Sequence, residues 1–293
     1  MTIFDEATAV TRCGEGSYAA RPDQRFALVA PGGMTPPAVN GGVMLATVLR
    51  AVLDCSPLPH PVATSAHFLR VPKFEPARID VTWLKTGLTA STARATLVQG
   101  DDVVLETTVT TGTVPVSCVG EVAGPAVGAP LTWTGSAPAM PPPSQCVNLG
   151  AWPGTLAADG TEGYAGQVSM LLDPAVVGWR FGEPSGMPEM RGYFSLREER
   201  VPDALTLAVA VDGLPPVVFG LGATGWAPTV ELTMHMRMVP APGLLAVQAR
   251  CRHVSGGWFD EEAEVWDAAG NLVAQSRQLA RVGRGPVKPG KAA

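Results

Sequence analysis

The sequence has no run of basic residues and no apolar stretch long enough to cross a membrane. Its 293 residues carry a formal net charge of −5 at pH 7, whereas proteins that bind nucleic acid usually present a basic patch. A membrane-spanning helix needs about 20 consecutive apolar residues, and no segment supplies them. The first ten residues, MTIFDEATAV, contain early acids and no apolar centre of a leader peptide. We therefore expect a cytoplasmic protein with no membrane span and no nucleic-acid partner.

Cysteine and histidine are scarce, and their positions exclude two further classes of protein. The cysteines are scattered and odd in number, which favours reduced thiols over a disulfide framework: Cys13, Cys55, Cys118, Cys146 and Cys251. No cysteines or histidines have the spacing of zinc ligands, so we expect no metal and no cofactor. The sequence also lacks a G-x-S-x-G motif, so a serine hydrolase with a nucleophile elbow is not supported.

Two parts of the chain have a clear pattern, and it is the same pattern twice. Apolar residues at helical spacing predict a helix over residues 38–54. Four strand-like segments follow, such as ARIDVTWL, in which apolar and polar residues alternate. In the second half, a helix predicted over residues 204–219 is again followed by four such segments. The offset of about 168 residues, which places His67 on His235, indicates a duplicated domain.

We divide the chain into an N-terminal domain, residues 1–114, a linker, residues 115–160, and a C-terminal domain, residues 161–293. The middle segment is dense in Pro, Gly and Ala, as in APAMPPPSQ, which is typical of a linker or an extended crossover. One helix followed by antiparallel strands predicts an α+β fold whose sheet wraps its apolar face around the helix. Such a sheet has open edges, and pairing the two copies side by side removes one edge from each.

Several stretches of the chain resemble the type II acyl-CoA thioesterase family. They are NGGVMLATVLRA on the first helix, HFLRVPK on the next strand, PTVELTMHMR in the second copy and GGWFDEEAEVWDAAGNLVAQSRQLARV at the end. The last is the most specific, because it joins a hairpin to a final strand that bears Gln. The resemblance implies a double hotdog fold, with two long central helices each wrapped by a curved antiparallel β-sheet. It also implies hydrolysis of an acyl-CoA substrate and a role in lipid metabolism.

The resemblance implies a catalytic set of Asp212, Thr229 and Gln278. In the family, an Asp, a Thr and a Gln together hold the attacking water. Here Asp212 comes from the second helical segment, Thr229 opens the motif TVE, and Gln278, rather than Gln275, ends LVAQSRQ. The chemistry is consistent with this set, because a thioester carbonyl needs an oriented water and a base more than a covalent nucleophile.

The first copy lacks these residues. Val109 falls where Gln278 falls in the second copy, and Met44 falls where Asp212 falls. We therefore expect one site per chain, carried by the second copy. Two joined hotdog units imitate a hotdog dimer, and their remaining sheet edges or helix faces can pair further. We expect a homodimer or a larger homo-oligomer.

Asn40, Gly41 and Gly42 open the first predicted helix and are candidate substrate-binding residues. Exposed N–H groups at a helix start can hold a thioester oxygen or a pantetheine amide. A plain helix start is an equally good interpretation of the same three residues.

Each site residue also has an ordinary structural interpretation. Asp212 could end or cap a helix, Gln278 could be a solvent-facing strand residue, and Thr229 could be one more strand threonine. The segment DEEAE, residues 260–264, is interpreted as a solvated strand edge. GLGATG, residues 220–225, fits a dinucleotide motif but lacks the strand before it and the helix after it. A non-catalytic acyl-CoA binding protein and a hydratase or dehydratase stay open as alternative functions.

Overall fold

Two units with a similar order of helix and strands follow one another along the chain. A computed structural model describes residues 1–28, 38–117, 133–149 and 163–283. The elements of the first unit are α1 (Ile3–Ala7), β1 (Val10–Gly14), β2 (Ser17–Ala20), β3 (Ala27–Leu28), β4 (Ala38–Val39), α2 (Gly41–Asp54), β5 (His60–Phe68), β6 (Ala77–Lys85), β7 (Ser91–Gln99) and β8 (Asp102–Gly112). Those of the second are β9 (Val147–Asn148), α3 (Gly163–Gln167), β10 (Val168–Leu172), β11 (Glu189–Leu196), α4 (Ala204–Ala210), β12 (Thr229–Met236), β13 (Leu245–Arg250), β14 (Val254–Ser255), β15 (Trp258–Trp266) and β16 (Leu272–Arg281).

One antiparallel sheet runs through both units. Its strands lie in the order β1-β2-β6-β7-β8-β5-β12-β16-β15-β13-β11-β10-β9, and β14 pairs with β15. The elements follow the same order in both units. A first strand, β2 or β11, is followed by a helix, α2 or α4, and then by the strand that pairs with the other unit, β5 or β12. A three-stranded meander, β6-β7-β8 or β13-β15-β16, then returns to that strand. This shared strand order confirms the predicted duplication.

The two units meet edge to edge at β5 and β12. Thr64 lies opposite Met234, and Ala66 lies opposite Leu232. All four side chains are buried, because alternate residues of a strand face the same side and this side is covered by the helices. The pairing joins backbone groups that two separate sheets would leave open, as the sequence predicted.

Helix α2 is buried over most of its surface because the sheet wraps around it. Asn40 caps the helix, since its side-chain oxygen accepts a hydrogen bond from the Val43 amide at 3.1 Å. Ten of the fourteen helical residues are buried, with β5, β6, β7 and α4 packed against them. The helix begins at Gly41 rather than at residue 38, because Ala38–Val39 forms β4. No helix in the described ranges is long and apolar enough to cross a membrane.

The second helix is much shorter than predicted, so the expectation of two long central helices is wrong for the second unit. Helix α4 spans seven residues, Ala204–Ala210, instead of residues 204–219. It begins after Asp203, whose side chain caps it. It cannot continue to residue 219 because Pro215 and Pro216 lack an N–H to donate, and proline disfavours helical conformation in the residue before it. A separate 3₁₀ helix, Val217–Leu221, follows.

The contact between α2 and α4 depends on Gly42. A β-carbon at this position would lie 2.6 Å from the Ala208 carbonyl oxygen and 2.8 Å from Val209 Cα, so the helices would have to move apart. Alanine favours a helix over glycine by about 1 kcal/mol, but overpacking costs about 1–3 kcal/mol. Both close contacts are with backbone atoms that cannot rotate away, so the cost lies in the upper part of that range. We therefore expect Gly42→Ala to lower the free energy of unfolding by about 1–2 kcal/mol in urea titrations. Gly135→Ala is the control, because its β-carbon would meet nothing within 4 Å; equal losses in both variants would contradict the prediction.

The predicted linker, residues 115–160, lies partly outside the described residues. Within its described part, Val147–Asn148 forms β9 and pairs with β10 at the edge of the sheet. Val116 forms a single parallel bridge with Val239. The segment therefore contributes to the sheet of the second unit, and the domain boundaries at residues 114 and 161 stay predictions.

Candidate active site

Asp212 lies where the two units meet, and its carboxylate contacts the start of α2. The residue follows the C-terminal end of α4, and its Oδ2 accepts a hydrogen bond from the Gly42 amide at 2.8 Å. Asn40 Nδ2 lies 3.4 Å from the same oxygen. A β-carbon at Gly41 would lie 2.9 Å from that oxygen, so glycine leaves room for the carboxylate. The N-terminus of α2, whose first amides have no acceptor within the helix and which carries the positive end of its dipole, therefore holds this acid.

This contact changes the interpretation of the segment Asn40-Gly41-Gly42. We expected its amides to face a substrate, but the Gly42 amide binds Asp212 and the Asn40 side chain caps α2. Asn40 and Gly41 line the adjoining cavity. A substrate-binding role for Asn40 and Gly41 stays a prediction, whereas Gly42 positions the acid.

Thr229 and Gln278 lie beside Asp212 and contact each other. Thr229 is the first residue of β12, and Gln278 lies on β16. The Thr229 hydroxyl donates a hydrogen bond to Gln278 Oε1 at 2.8 Å and lies 3.5 Å from Asp212 Oδ1. The structure thus brings the three predicted side chains together. Gln275 faces the other side of β16, where its Oε1 accepts a hydrogen bond from Arg237, as the alternation of strand side chains predicts.

A fourth polar side chain, Glu261 on β15, belongs to the same cluster, and sequence reasoning missed it. Its Oε1 accepts a hydrogen bond from Gln278 Nε2 at 2.8 Å, and its Oε2 accepts one from the Val217 amide at 3.2 Å. The interpretation of DEEAE as a solvated strand edge is wrong here, because Glu261 is only 5% exposed. The alternation along β15 indicates this burial, because the apolar residues Phe259 and Ala263 lie on the same face of the strand as Glu261 and are buried.

Burial shifts the pKa values of both acids toward neutrality. It raises the pKa of Asp212 to about 6, against the opposing effect of the hydrogen bond from Gly42. It raises the pKa of Glu261 to about 7, although the Val217 amide lowers this pKa and the charge of Asp212 raises it. The charge of Asp212 is thus one of the causes that raise the pKa of Glu261. Two acids with strongly raised pKa values in one cavity are typical of a catalytic site.

The four side chains lie on the wall of a cavity of about 880 Å³. Sites for small ligands usually have volumes of about 300–1,000 Å³, so this cavity accommodates a large one. Apolar and aromatic side chains from both units form much of its lining: Met44, Phe68, Tyr164, Trp179, Phe219 and Trp226. The arrangement suits a ligand with a long apolar part and a polar group that reaches the cluster.

In the first unit, an apolar residue stands where the second unit has Gln278. Val109 on β8 and Gln278 on β16 occupy corresponding places, each beside the strand that joins the units, and Val109 is fully buried. The proposed equivalence of Met44 and Asp212 is wrong. Met44 lies in the first turn of α2, whereas Asp212 follows the end of α4. All four side chains of the cluster nevertheless come from the second unit, and the first unit contributes the start of α2, whose Gly42 amide binds Asp212.

Within the ranges that the structure describes, the chain forms neither a metal centre nor a dinucleotide-binding loop. No group of three or more His, Cys, Asp or Glu side chains there could hold a metal ion. The segment GLGATG overlaps the 3₁₀ helix Val217–Leu221 and leads into β12, so the strand and the α-helix that the motif requires do not flank it.

Solved structures are similar to this chain over nearly its whole length. A candidate thioesterase II from Thermobifida fusca is 37% identical, with a TM-score of 0.83, and the match covers 97% of this chain and 98% of that one. A protein of unknown function with a hot dog fold from Alicyclobacillus acidocaldarius is 21% identical, with a TM-score of 0.77, and the match covers 98% and 100%. The second likeness concerns the fold alone. It confirms the hotdog fold in the predicted fold class, whereas the two long central helices of that prediction are not confirmed.

Both halves of the chain match the domains of one protein family. Residues 30–112 match the acyl-CoA thioesterase N-terminal domain, and residues 143–282 match the acyl-CoA thioesterase C-terminal domain. An uncharacterized protein of Mycobacterium tuberculosis is 33% identical over 258 residues, which make up 84% of this chain and 86% of that protein. The chain belongs to the acyl-CoA thioesterase family, as the resemblance in its sequence predicted.

Proposed function

We propose that the protein hydrolyses acyl-CoA thioesters to a free acid and CoA. The observation that carries this proposal is the connected cluster of Asp212, Thr229 and Gln278 on the wall of a large apolar cavity. Membership of the family supports an acyl-CoA substrate, and the cavity suits the acyl chain. The thioester carbonyl is reactive enough for attack by an oriented water, so the site needs no covalent nucleophile.

In the proposed reaction, Asp212 is the general base. A water held in the cluster transfers one proton to Asp212 while its oxygen bonds to the thioester carbonyl carbon. An oxygen acceptor of Thr229 or Gln278 holds the second hydrogen of the water. The carbonyl oxygen takes the negative charge of the tetrahedral intermediate. The C–S bond then breaks, and Asp212 returns its proton to the leaving thiolate, so that the products are the carboxylic acid and CoA.

Residues around the cluster would bind the two ends of the substrate. Asn40 and Gly41 line the cavity next to Asp212, and an amide at a helix start is well placed to stabilise the developing negative charge on the thioester oxygen. Arg70 and Arg180 also line the cavity. We propose that these two cations attract the phosphate groups of CoA.

We expect kcat/KM to rise from pH 5 and to level off only by about pH 8, since Glu261 in the same cluster has a pKa of about 7. Asp212 has to be ionised to accept a proton, and burial raises its pKa to about 6. Below this value, the fraction of ionised base falls about tenfold for each pH unit, and kcat/KM of the free enzyme follows it. Rates of free-thiol release from one acyl-CoA across this range measure the profile. A flat profile from pH 5 to 8 would contradict the assignment of Asp212 as the base.

The function itself is tested by a panel of acyl-CoA substrates with short to long acyl chains. Free thiol that appears with turnover supports hydrolysis. Binding of an acyl-CoA without any thiol release would favour a non-catalytic acyl-CoA binding protein on the same fold. A change in the double bond of an enoyl-CoA without release of CoA would favour a hydratase.

A further inference from the structure

Glu261 has no part in the proposed proton transfer, yet both of its oxygens are bound. Its partners are neutral donors: the side-chain amide of Gln278 and the backbone amide of Val217. A carboxylate that is buried and receives two hydrogen bonds from donors is suited to this position in its ionised form, because that form only accepts hydrogen bonds.

Glu261 determines which end of the Gln278 amide faces Thr229. Because the ionised carboxylate can only accept, the NH₂ end of Gln278 faces Glu261. The carbonyl end then faces Thr229, and this is the observed contact of 2.8 Å. If the Gln278 amide were reversed, its oxygen would lie against the Glu261 carboxylate, so that two acceptors would meet. Its NH₂ group would then face the Thr229 hydroxyl.

The orientation of the amide in turn determines the direction of the Thr229 hydroxyl, which carries a single hydrogen. The 2.8 Å contact with Gln278 takes this hydrogen, because the 3.5 Å contact with Asp212 is at the limit of a hydrogen bond. Toward the cavity, the Thr229 oxygen therefore presents a lone pair. That lone pair can accept one hydrogen of the water while Asp212 accepts the other.

We propose that Glu261 is a positioning residue: it orients the Gln278 amide, and through it the Thr229 hydroxyl, so that Asp212 stays free to accept the proton of the water. The inference rests on the proposed hydrolysis and extends it by one residue. Glu261 acts through its neighbours and does not itself touch the reacting atoms.

Protonation of Glu261 also makes the hydrogen bonds of this network depend on pH. The charged groups that act on Glu261 are Asp212, from the turn after α4, and Asp260, from its own strand. The 3₁₀ helix and β16 contribute the neutral amides of Val217 and Gln278. A proton on Oε1 of Glu261 turns this oxygen into a donor, which favours the reversed amide of Gln278. Acid therefore disturbs the network at two places, the base and the residue that orients its neighbours.

The first test is Glu261→Gln, which keeps the shape of the side chain. Glutamine has one acceptor oxygen, so it cannot accept hydrogen bonds from both Val217 and Gln278. With its oxygen on Val217, its NH₂ group reverses the Gln278 amide. The Thr229 hydrogen then points to Asp212. We expect kcat to fall about 10- to 100-fold, the effect of one hydrogen bond to a charged group, with little change in KM. The acid limb of the pH profile of kcat/KM should move to lower pH.

Glu262→Gln is the matched control. Glu262 is the next residue on β15 and faces the other side of the sheet, where it accepts a hydrogen bond from Arg252. Its kcat and pH profile should equal those of the wild type. A Glu261→Gln enzyme with wild-type kcat and an unmoved acid limb would overturn the proposal and leave the proposed hydrolysis standing.

Glu261→Gln lowers the pKa of Asp212 in two ways: it removes a nearby negative charge, and it turns the Thr229 hydroxyl toward Asp212. A second measurement separates these two effects. Titration of the Asp212 carboxyl carbon by NMR requires no turnover. Glu261→Gln should lower the pKa of Asp212 more in the wild-type background than in a Thr229→Val background, where the hydroxyl that carries the effect is absent. Equal shifts in both backgrounds would overturn the proposal. Unequal shifts in a protein that hydrolyses no thioester would support the arrangement and contradict the proposed function.

Discussion

Asp212→Asn is expected to lower kcat for acyl-CoA hydrolysis by about 10²–10⁴-fold, the usual contribution of a general base. Asparagine has the same shape and can still accept the hydrogen bond that the Gly42 amide donates, but it cannot take a proton from water. Burial raises the pKa of Asp212 to about 6, which makes it a stronger base than an exposed aspartate. Steady-state rates of thiol release at pH 7.5 to 8, where the wild-type acid is ionised, measure the loss.

The fold should tolerate this substitution. The pKa of Asp212 is raised above its ordinary value of about 3.9, so its contribution to stability is present below pH 4 and is lost as the pH rises through about 6. At pH 7 the neutral asparagine should therefore leave the melting temperature unchanged or slightly higher. Asp54→Asn, at the exposed end of α2, is the control and should keep full activity. Full activity in Asp212→Asn would mean that the carboxylate is only a helix-end residue.

Gln278→Ala is expected to lower kcat by about 10²–10³-fold, as the loss of one preorganised hydrogen-bonding group does in other active sites. The substitution removes the acceptor of the Thr229 hydroxyl and a group that we propose to hold the attacking water. It also removes the donor to Glu261. The released hydroxyl of Thr229 can then donate to Asp212, which weakens the base. The rate of thiol release under saturating acyl-CoA measures this effect.

Gln275→Ala is the matched control on the same strand. Gln275 lies on the outer face of β16 with Arg237, so its loss should leave kcat close to that of the wild type. Leaving Glu261 without its donor costs about 1–3 kcal/mol of stability, and rates are therefore compared well below the melting temperature of Gln278→Ala. Equal activity losses in the two variants would show that the face of the strand does not matter, and the assignment of Gln278 would be wrong.

Much of the fold was predictable because local patterns repeat along the chain. Alternation of apolar and polar residues predicted the strands, and the common order of elements at a fixed offset predicted two units. The need to cover open strand edges predicted their pairing, which occurs at β5 and β12. The length of α4 was predicted wrongly. The apolar run after Asp203 favours a long helix, whereas Pro215 and Pro216 are local signals that exclude a helix through residue 219.

Part of the site was also predictable. The resemblance to a family indicated Asp212, Thr229 and Gln278, and strand alternation separates Gln278 from Gln275, since three residues along a strand reverse the face. The same alternation could have indicated Glu261, because apolar residues flank it at every second position. The acidic composition of the segment instead favours a solvated strand edge, since burial of an acid is costly and the donors that make it tolerable are not visible in the sequence.

The sequence by itself determined the periodicity of the strands and the duplication, because both depend on the order of nearby residue types, and its resemblance to a family predicted Asp212, Thr229 and Gln278 as site residues. Only the tertiary structure decided which polar groups meet. The Gly42 amide and Asp212 are 170 residues apart, and Glu261 and Gln278 are 17 apart on neighbouring strands. A hydrogen bond depends on distances of about 3 Å between particular atoms. Those distances follow from how α2, α4 and the sheet pack together, and no local pattern specifies them.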